Sequence, residues 1–198
     1  MRITGKIPLD KEGQFCILCF SGPIERILKE NRTYYACHAC GKVSERCVVI
    51  DNGVTWWVDV GGTYWHESVG VVVQNEEREI LCLFRSIYPF AYSIPAGHLD
   101  AGEAPEKAAL RELKEETGFS PSTRLELIGE LDLHGDSCRR GSDDHRWHLY
   151  KTHIAGTLKL RLNDEASRAE WLTVDKIRAL DNATYALRYI VDTFAHVF

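Results

Sequence analysis

Apolar and polar positions change their spacing several times along this chain of 198 residues. Residues 69–73 (Val-Gly-Val-Val-Val) and 80–85 (Ile-Leu-Cys-Leu-Phe-Arg) are short apolar runs around the polar stretch Asn75-Glu76-Glu77-Arg78. Runs of this length predict two strands joined by a turn. From residue 105 the spacing becomes helical, with Ala108, Ala109, Leu110 and Leu113 on one face. Pro105 suits a first turn, where its missing N–H is not needed. Ala104 is a poor N-cap and Gly118 a good stop, so a helix over 105–117 is expected. Further strands are expected at 125–133, 147–154 and 170–174. A C-terminal helix at 183–196 would present Leu187, Ile190, Val191 and Phe194. Ahead of residue 64 the pattern is choppier. Strands at 34–35 and 48–50 lead to the turn Asp51-Asn52-Gly53, a connecting hairpin through Trp56, Trp57 and Val58, and a turn or hinge at Gly61-Gly62. Trp56 and Trp57 are expected to pack between this first module and the rest.

The helix at 105–117 carries Glu112, Glu115 and Glu116 at i, i+3 and i+4, so their carboxylates share one face. Such like-charged pairs repel by roughly 0.2–0.5 kcal/mol each. Two of the three lie near the C-terminus, where the helix dipole disfavours anions. For an isolated E-x-x-E-E a solvated acidic face is the ordinary reading. A hard divalent cation would instead convert the repulsion into a ligand set. Arg111 could hold one of these carboxylates bidentately, with Glu103 as its other partner. The lead-in Ile94-Pro95-Ala96-Gly97-His98 reads as a tight loop with backbone carbonyls free to ligate.

The full stretch is Gly97-x5-Glu103-x7-Arg111-Glu112-Leu113-x-Glu115-Glu116-x-Gly118-Phe119. From average residue usage its chance occurrence is on the order of 10⁻⁹ per start position. It resembles a complete Nudix box, and the resemblance extends over about residues 66–198. It implies an α+β fold, an α/β/α sandwich with a mixed sheet, over 64–198. It implies hydrolysis, by water attack on phosphorus, of a nucleoside diphosphate linked to a group X. Glu112, Glu115 and Glu116, with the carbonyl of Ala96, would then hold Mg²⁺ or Mn²⁺, and Arg111 and Glu103 would be the orienting pair. The general base would be a box glutamate or a later carboxylate, with Glu165 ahead of Glu170, Asp143 and Asp144. The lead-in Pro95-Ala96-Gly97 resembles that of ADP-ribose and nucleotide-sugar hydrolases.

Four of the seven cysteines form pairs, Cys16-x-x-Cys19 and Cys37-x-x-Cys40, seventeen residues apart. That is the spacing of a four-cysteine zinc site, and a closed tetrahedral site is structural. The stretch resembles the zinc ribbon ahead of the hydrolase domain in NADH-pyrophosphatase-like proteins, with residues 1–63 holding ribbon and connecting hairpin. His38 reads as solvent-facing filler. Cys47 and Cys82 read as core packing, and Cys138, in a polar loop, as inert. Met1-Arg2-Ile3-Thr4-Gly5-Lys6 has no apolar leader region, so reducing cytoplasm is the expected location and disulfides are not expected.

A net charge of −5 argues against a surface that coats nucleic acid. No apolar run is long enough to span a membrane. Local cations would suffice for a small nucleotide. The irregular loop 133–148 contains Arg139, Arg140 and Arg146 for phosphates and Trp147 for a base, against the plainer reading of a solvated loop and a core tryptophan. A homodimer is compatible with this reading. Two other functions remain open here: a nucleotide-sensing or protein-binding regulatory module without turnover, and an RNA-end hydrolase.

Overall fold

The computed structural model describes residues 1–30 and 32–198. The N-terminal part contains strands β1 (Gly13–Cys16), β2 (Ile24–Lys29), β3 (Arg32–Cys37), β4 (Val43–Ser44) and β5 (Cys47–Ile50). β6 (Trp56–Val58), β7 (Tyr64–Gln74), β8 (Ile80–Arg85), β9 (Tyr92–Ser93) and β10 (Ala96–His98) lead to helix α1 (Pro105–Thr117). β11 (Glu126–His134), β12 (Asp144–His153), β13 (Ala166–Leu172), α2 (Val174–Arg178) and α3 (Tyr185–Phe194) follow, and a short 3-10 turn over Ala195–Val197 precedes the last residue.

The central mixed sheet has the order β11-β12-β7-β8-β13, with β10 and β6 on β7 and β9 on β8. β12 runs parallel to β7, and the other pairings are antiparallel. The valine run of β7 is buried on both faces, so alternate side chains enter different cores. Val69, Val71 and Val73, with Leu81 and Leu83 of β8, pack beneath α1. Val72, with Ile80 and Cys82, packs against α3 through Leu187, Ile190 and Val191. One helix on each face of the sheet makes an α/β/α sandwich. Among the described residues no helix is long and apolar enough to cross a membrane.

α1 has the expected bounds. Ala104 makes no side-chain cap bond, and Gly118 closes the helix at φ 73°, its N–H donating to the Lys114 carbonyl. α3 begins later than expected because Thr184 caps it, its Oγ1 accepting from the Leu187 amide at 3.2 Å. The short α2 has no counterpart among the expected elements. The strand pair 69–73 and 80–85 meets only at Gln74 and Ile80, and β8 pairs mainly with β13. The turn at 51–53 forms, with the Gly53 amide donating to Asp51 Oδ1 at 2.8 Å. It does not close a hairpin, because β5 pairs with β1 and β6 with β7. Trp56 packs with Ile3, Val48 and Tyr64 at the junction with the N-terminal part. Trp57 instead stacks on Trp65, with ring centroids 5.6 Å apart.

Candidate active site

Cys16-x-x-Cys19 begins at the end of β1 and Cys37-x-x-Cys40 at the end of β3, and the fold brings their thiols together. Cys16 Sγ lies 3.8 Å from Cys40 Sγ, and Cys19 Sγ 3.6 Å from Cys37 Sγ. Four sulfurs at about 2.3 Å from one ion stand about 3.8 Å apart, so this cluster has the size of a tetrahedral four-sulfur site. His38 lies outside it, exposed, 3.4 Å from Glu25. Cys47 and Cys82 are buried in the core. All seven cysteines are free thiols.

A cavity of about 390 Å³ opens over β10 and over Arg111, Glu112 and Glu115 of α1. Arg111 organises that face. Its Nε and Nη2 donate to Glu103, the shortest contact being 2.8 Å, and its Nη1 donates to Glu112 Oε1 at 2.7 Å. Nη2 also reaches the His98 carbonyl at 3.3 Å. Glu115 is largely exposed, 3.5 Å from Arg111 Nη1. Glu116 turns the other way, its Oε2 accepting from the Ala96 amide at 2.8 Å. β10 can lie against α1 because Gly97 has no side chain: the Glu112 carboxylate occupies the space a Cβ would need.

The electrostatics follow from this packing. Burial pushes the Glu116 carboxyl up to about 8, opposed by Arg85 and the Ala96 amide and reinforced by the charges of Glu112 and Glu165. Burial also raises Glu112, against the pull of Arg111. Hydrogen bonds from Arg111 hold Glu103 below the usual carboxylate range. The face therefore holds an ionised brace beside a buried carboxyl, Glu116, and a half-buried one, Glu112, that lack enough positive charge. A divalent cation would supply it.

The later candidates separate clearly. Glu165 lines the cavity, 3.8 Å from Arg139. Its loop is pinned by the Ser86 amide donating to the Glu165 carbonyl at 2.7 Å. Glu170 is taken up by Tyr92 and Arg168. Asp143 pairs with Arg46 at 2.6 Å, and Asp144 with the N-terminal amine at 3.0 Å and His134 at 2.8 Å. None of these three lines the cavity.

The 133–148 loop departs from expectation. Arg139 and Arg140 line the cavity, but Arg140 Nη1 is held by Asp51 at 2.6 Å. Their carbonyls accept from the Cys47 and Val49 amides, which ties the loop to β5. Arg146 is not in the cavity. It donates twice to Asp132 at 2.8 Å and lies over Trp57. β12 begins at Asp144 rather than at Trp147, and its alternation sends 145 and 147 inward and 146 outward. Trp147 is a buried cavity wall, its Nε1 donating to Asp136 at 2.8 Å. Cys138, expected as an inert thiol of a polar loop, lies among His66, His98 and His145, with one ligand atom from each within 4.8 Å of the others. Arg85 is a further residue of the site, outside the sequence-based expectations. It lines the cavity from the end of β8, and its buried Nε has no hydrogen-bond partner among the described residues. An arginine closing an apolar strand was the only signal for it.

Comparisons with known proteins agree with this architecture. A family model described as a NUDIX domain matches residues 64–194. The RNA pyrophosphohydrolase of Cereibacter sphaeroides is 40% identical over 74 residues, covering 37% of this chain and 45% of that protein. The NAD-capped RNA hydrolase NudC of Pseudomonas aeruginosa is 24% identical over 186 residues, covering 91% of this chain and 62% of that protein. The chain thus spans less than two thirds of the length of these two relatives. Among solved structures, the MutT protein of Methanosarcina mazei Go1 superposes with a TM-score of 0.57 at 19% identity, over 67% of this chain and 94% of that one. That likeness concerns the fold alone.

Proposed function

Because the chain belongs to the Nudix family, its domain matched over residues 64–194, we propose that it is a divalent-metal-dependent hydrolase. Its substrate class would be a nucleoside diphosphate linked to a second group. The observation that carries this reading is the Arg111 brace, which joins Glu103 to the cavity-lining Glu112, with Glu116 buried on the same helix against the Ala96 amide. Residues 64–198 form the hydrolase domain in this reading, and residues 1–63 the ribbon with its connecting segment.

Glu112, Glu115 and Glu116, with the carbonyl of Ala96, would hold Mg²⁺ or Mn²⁺. The residues fit such an ion, since burial raises both Glu112 and Glu116 and the charge of Glu165 adds to each, against the pull of Arg111 on the first and of Arg85 on the second. When bound, the ion neutralises diphosphate oxygens and acidifies a water. The protein's own groups do the rest. Arg139 and Arg85, both in the cavity lining, bind phosphate oxygens. Arg111 keeps Glu112 turned toward the cavity, which is positioning rather than chemistry. Glu165 accepts the proton of the attacking water. A water oxygen–phosphorus bond forms, the anhydride bond breaks, and the products are a nucleoside monophosphate and the phosphorylated second group.

Pro95-Ala96-Gly97 supports an ADP-ribose or nucleotide-sugar type of substrate. The relatives' names make capped RNA ends the alternative to test. The cysteine cluster supports a structural zinc ion, and this reading assigns the protein to a reducing, cytoplasmic setting. The test is a Mg²⁺-supplemented hydrolysis panel of ADP-ribose, nucleotide sugars, NADH, dinucleoside polyphosphates, damaged nucleoside triphosphates and capped RNA. Glu116→Gln is run beside the wild type. The expected result is release of nucleoside monophosphate from one class, falling by more than about 100-fold in the variant, beyond what an outer-shell partner costs. Equal turnover by wild type and variant would overturn the assignment.

A further inference from the structure

A second group of potential metal ligands, drawn from four separate segments, lies at the wall of the same cavity, which His98, Cys138 and His145 line with His66 buried behind them. His66 is on β7, His98 on β10, Cys138 in the β11–β12 loop and His145 on β12. One ligand atom from each lies within 4.8 Å of all the others. His66 Nδ1 is 3.1 Å from His98 Nε2 and 3.4 Å from Cys138 Sγ. At metal–nitrogen distances of 2.0–2.1 Å and a metal–sulfur distance of 2.3 Å, tetrahedral ligand edges come to about 3.3 and 3.6 Å. The two observed separations are close to such edges, and the remaining ones lie within 4.8 Å.

The hydrogen bonds around the group aim its lone pairs inward. Tyr64 has one hydroxyl proton and donates it to the Val49 carbonyl at 2.5 Å. The same hydroxyl lies 2.7 Å from His66 Nε2, so it accepts there and His66 carries its proton on Nε2. That leaves the Nδ1 lone pair directed at His98 and Cys138. On the far side, Asp136 Oδ2 stands 3.4 Å from His145 Nδ1. A carboxylate behind an imidazole is the usual support for a metal-bound histidine. That Nδ1 is buried and makes no hydrogen bond among the described residues, so Asp136 stands within reach of the ring without holding it in this geometry. Three imidazoles and a thiol in mutual contact and largely shielded from water carry a desolvation cost that hydrogen bonds among themselves do not cover.

We propose that His66, His98, Cys138 and His145 form a second metal site, taking a borderline-soft divalent ion of the zinc class. Thiolate and imidazole ligands select against Mg²⁺ and Ca²⁺. Four protein ligands leave no open position, so the ion is structural. Its place in the fold defines its effect. His98 directly follows the glycine that accommodates Glu112, and its carbonyl accepts from Arg111. Cys138 anchors the loop that presents Arg139. The ion would tie β7 and β12, whose His66 and His145 are register partners, to that loop and to the lead-in of α1. This site is independent of the reading of the four-cysteine cluster.

The test uses the full-length protein purified without chelator. X-ray absorption at the zinc edge should show imidazole nitrogen scattering beside sulfur, and elemental analysis about two zinc ions per chain when both sites are filled. Cys138→Ser and His66→Gln should each remove about one ion and the imidazole signal, leaving the all-sulfur signal. Cys37→Ser should do the reverse. About one ion per chain with mixed nitrogen and sulfur scattering also upholds the proposal and counts against zinc in the ribbon. Purely sulfur scattering from the wild type, or no bound zinc, overturns it without any reliance on the variants' folding.

Discussion

Replacing Gly97 by alanine tests how the cavity wall and the acidic helix depend on each other. Gly97 sits in β10, paired opposite Val69, in a conformation any residue adopts. The added methyl therefore meets no backbone strain. It lands on the Glu112 carboxylate, whose Cδ and both oxygens are far inside contact distance. Glu112 cannot simply swing aside, because Arg111 Nη1 holds its Oε1 at 2.7 Å and Arg111 is itself fixed by Glu103. Restoring an ordinary contact displaces the carboxylate by about 1 Å, and a displacement of that size in a reacting constellation costs about 100-fold in rate. That equals about 2.7 kcal/mol of barrier. The folding cost should be of the order of overpacking, about 1–3 kcal/mol. The assay is turnover of the best substrate over a Mg²⁺ titration, with a thermal melt of the same preparation. Gly97→Ala should fold, turn over about 100-fold more slowly, and need more Mg²⁺. An unchanged kcat and metal requirement would refute the idea that Glu112 must occupy that space.

Other substitutions probe separate parts of the site. Arg111→Lys keeps the charge but loses the fork that spans Glu103 and Glu112, and should cost about 10–100-fold in metal affinity, read by titration of activity with Mg²⁺. Arg139→Ala should raise KM with a smaller change in kcat, whereas Arg146→Ala should leave both unchanged, since Arg146 pairs with Asp132 outside the cavity; steady-state kinetics of the two variants decides this. Cys37→Ser should lower the melting temperature and release the ribbon's zinc, because roughly 10–16 kcal/mol of binding free energy can reside in such a site. Gly70→Ala places a methyl 2.7 Å from Trp147 Cζ3 and 3.0 Å from Ile94 Cδ1, and should destabilise by about 1–3 kcal/mol in denaturant unfolding.

What the sequence determined by itself was local. Helix α1, its stop at Gly118 and its row of glutamates follow from spacings of three and four residues, which a helix turns into one face wherever it lies. The two C-x-x-C pairs are legible for the same reason, as each places two thiols within one turn of chain. Glu165 was legible as a candidate, but its separation from Glu170 and from Asp143 and Asp144 was not. That depended on which side of a strand or loop faced the cavity. The parity of β12 shows the point: beginning at Asp144, it sends His145 and Trp147 inward and Arg146 outward, and nothing in the loop's composition reveals where pairing with β7 begins. The His66–His98–Cys138–His145 group lay wholly beyond the sequence. Its members share no spacing and lie on separate segments. They meet because the parallel pairing of β7 with β12 sets His66 opposite His145, while β10 and the loop close over them. Proximity created by strand register, rather than by neighbouring chain positions, exists only once the tertiary structure has formed.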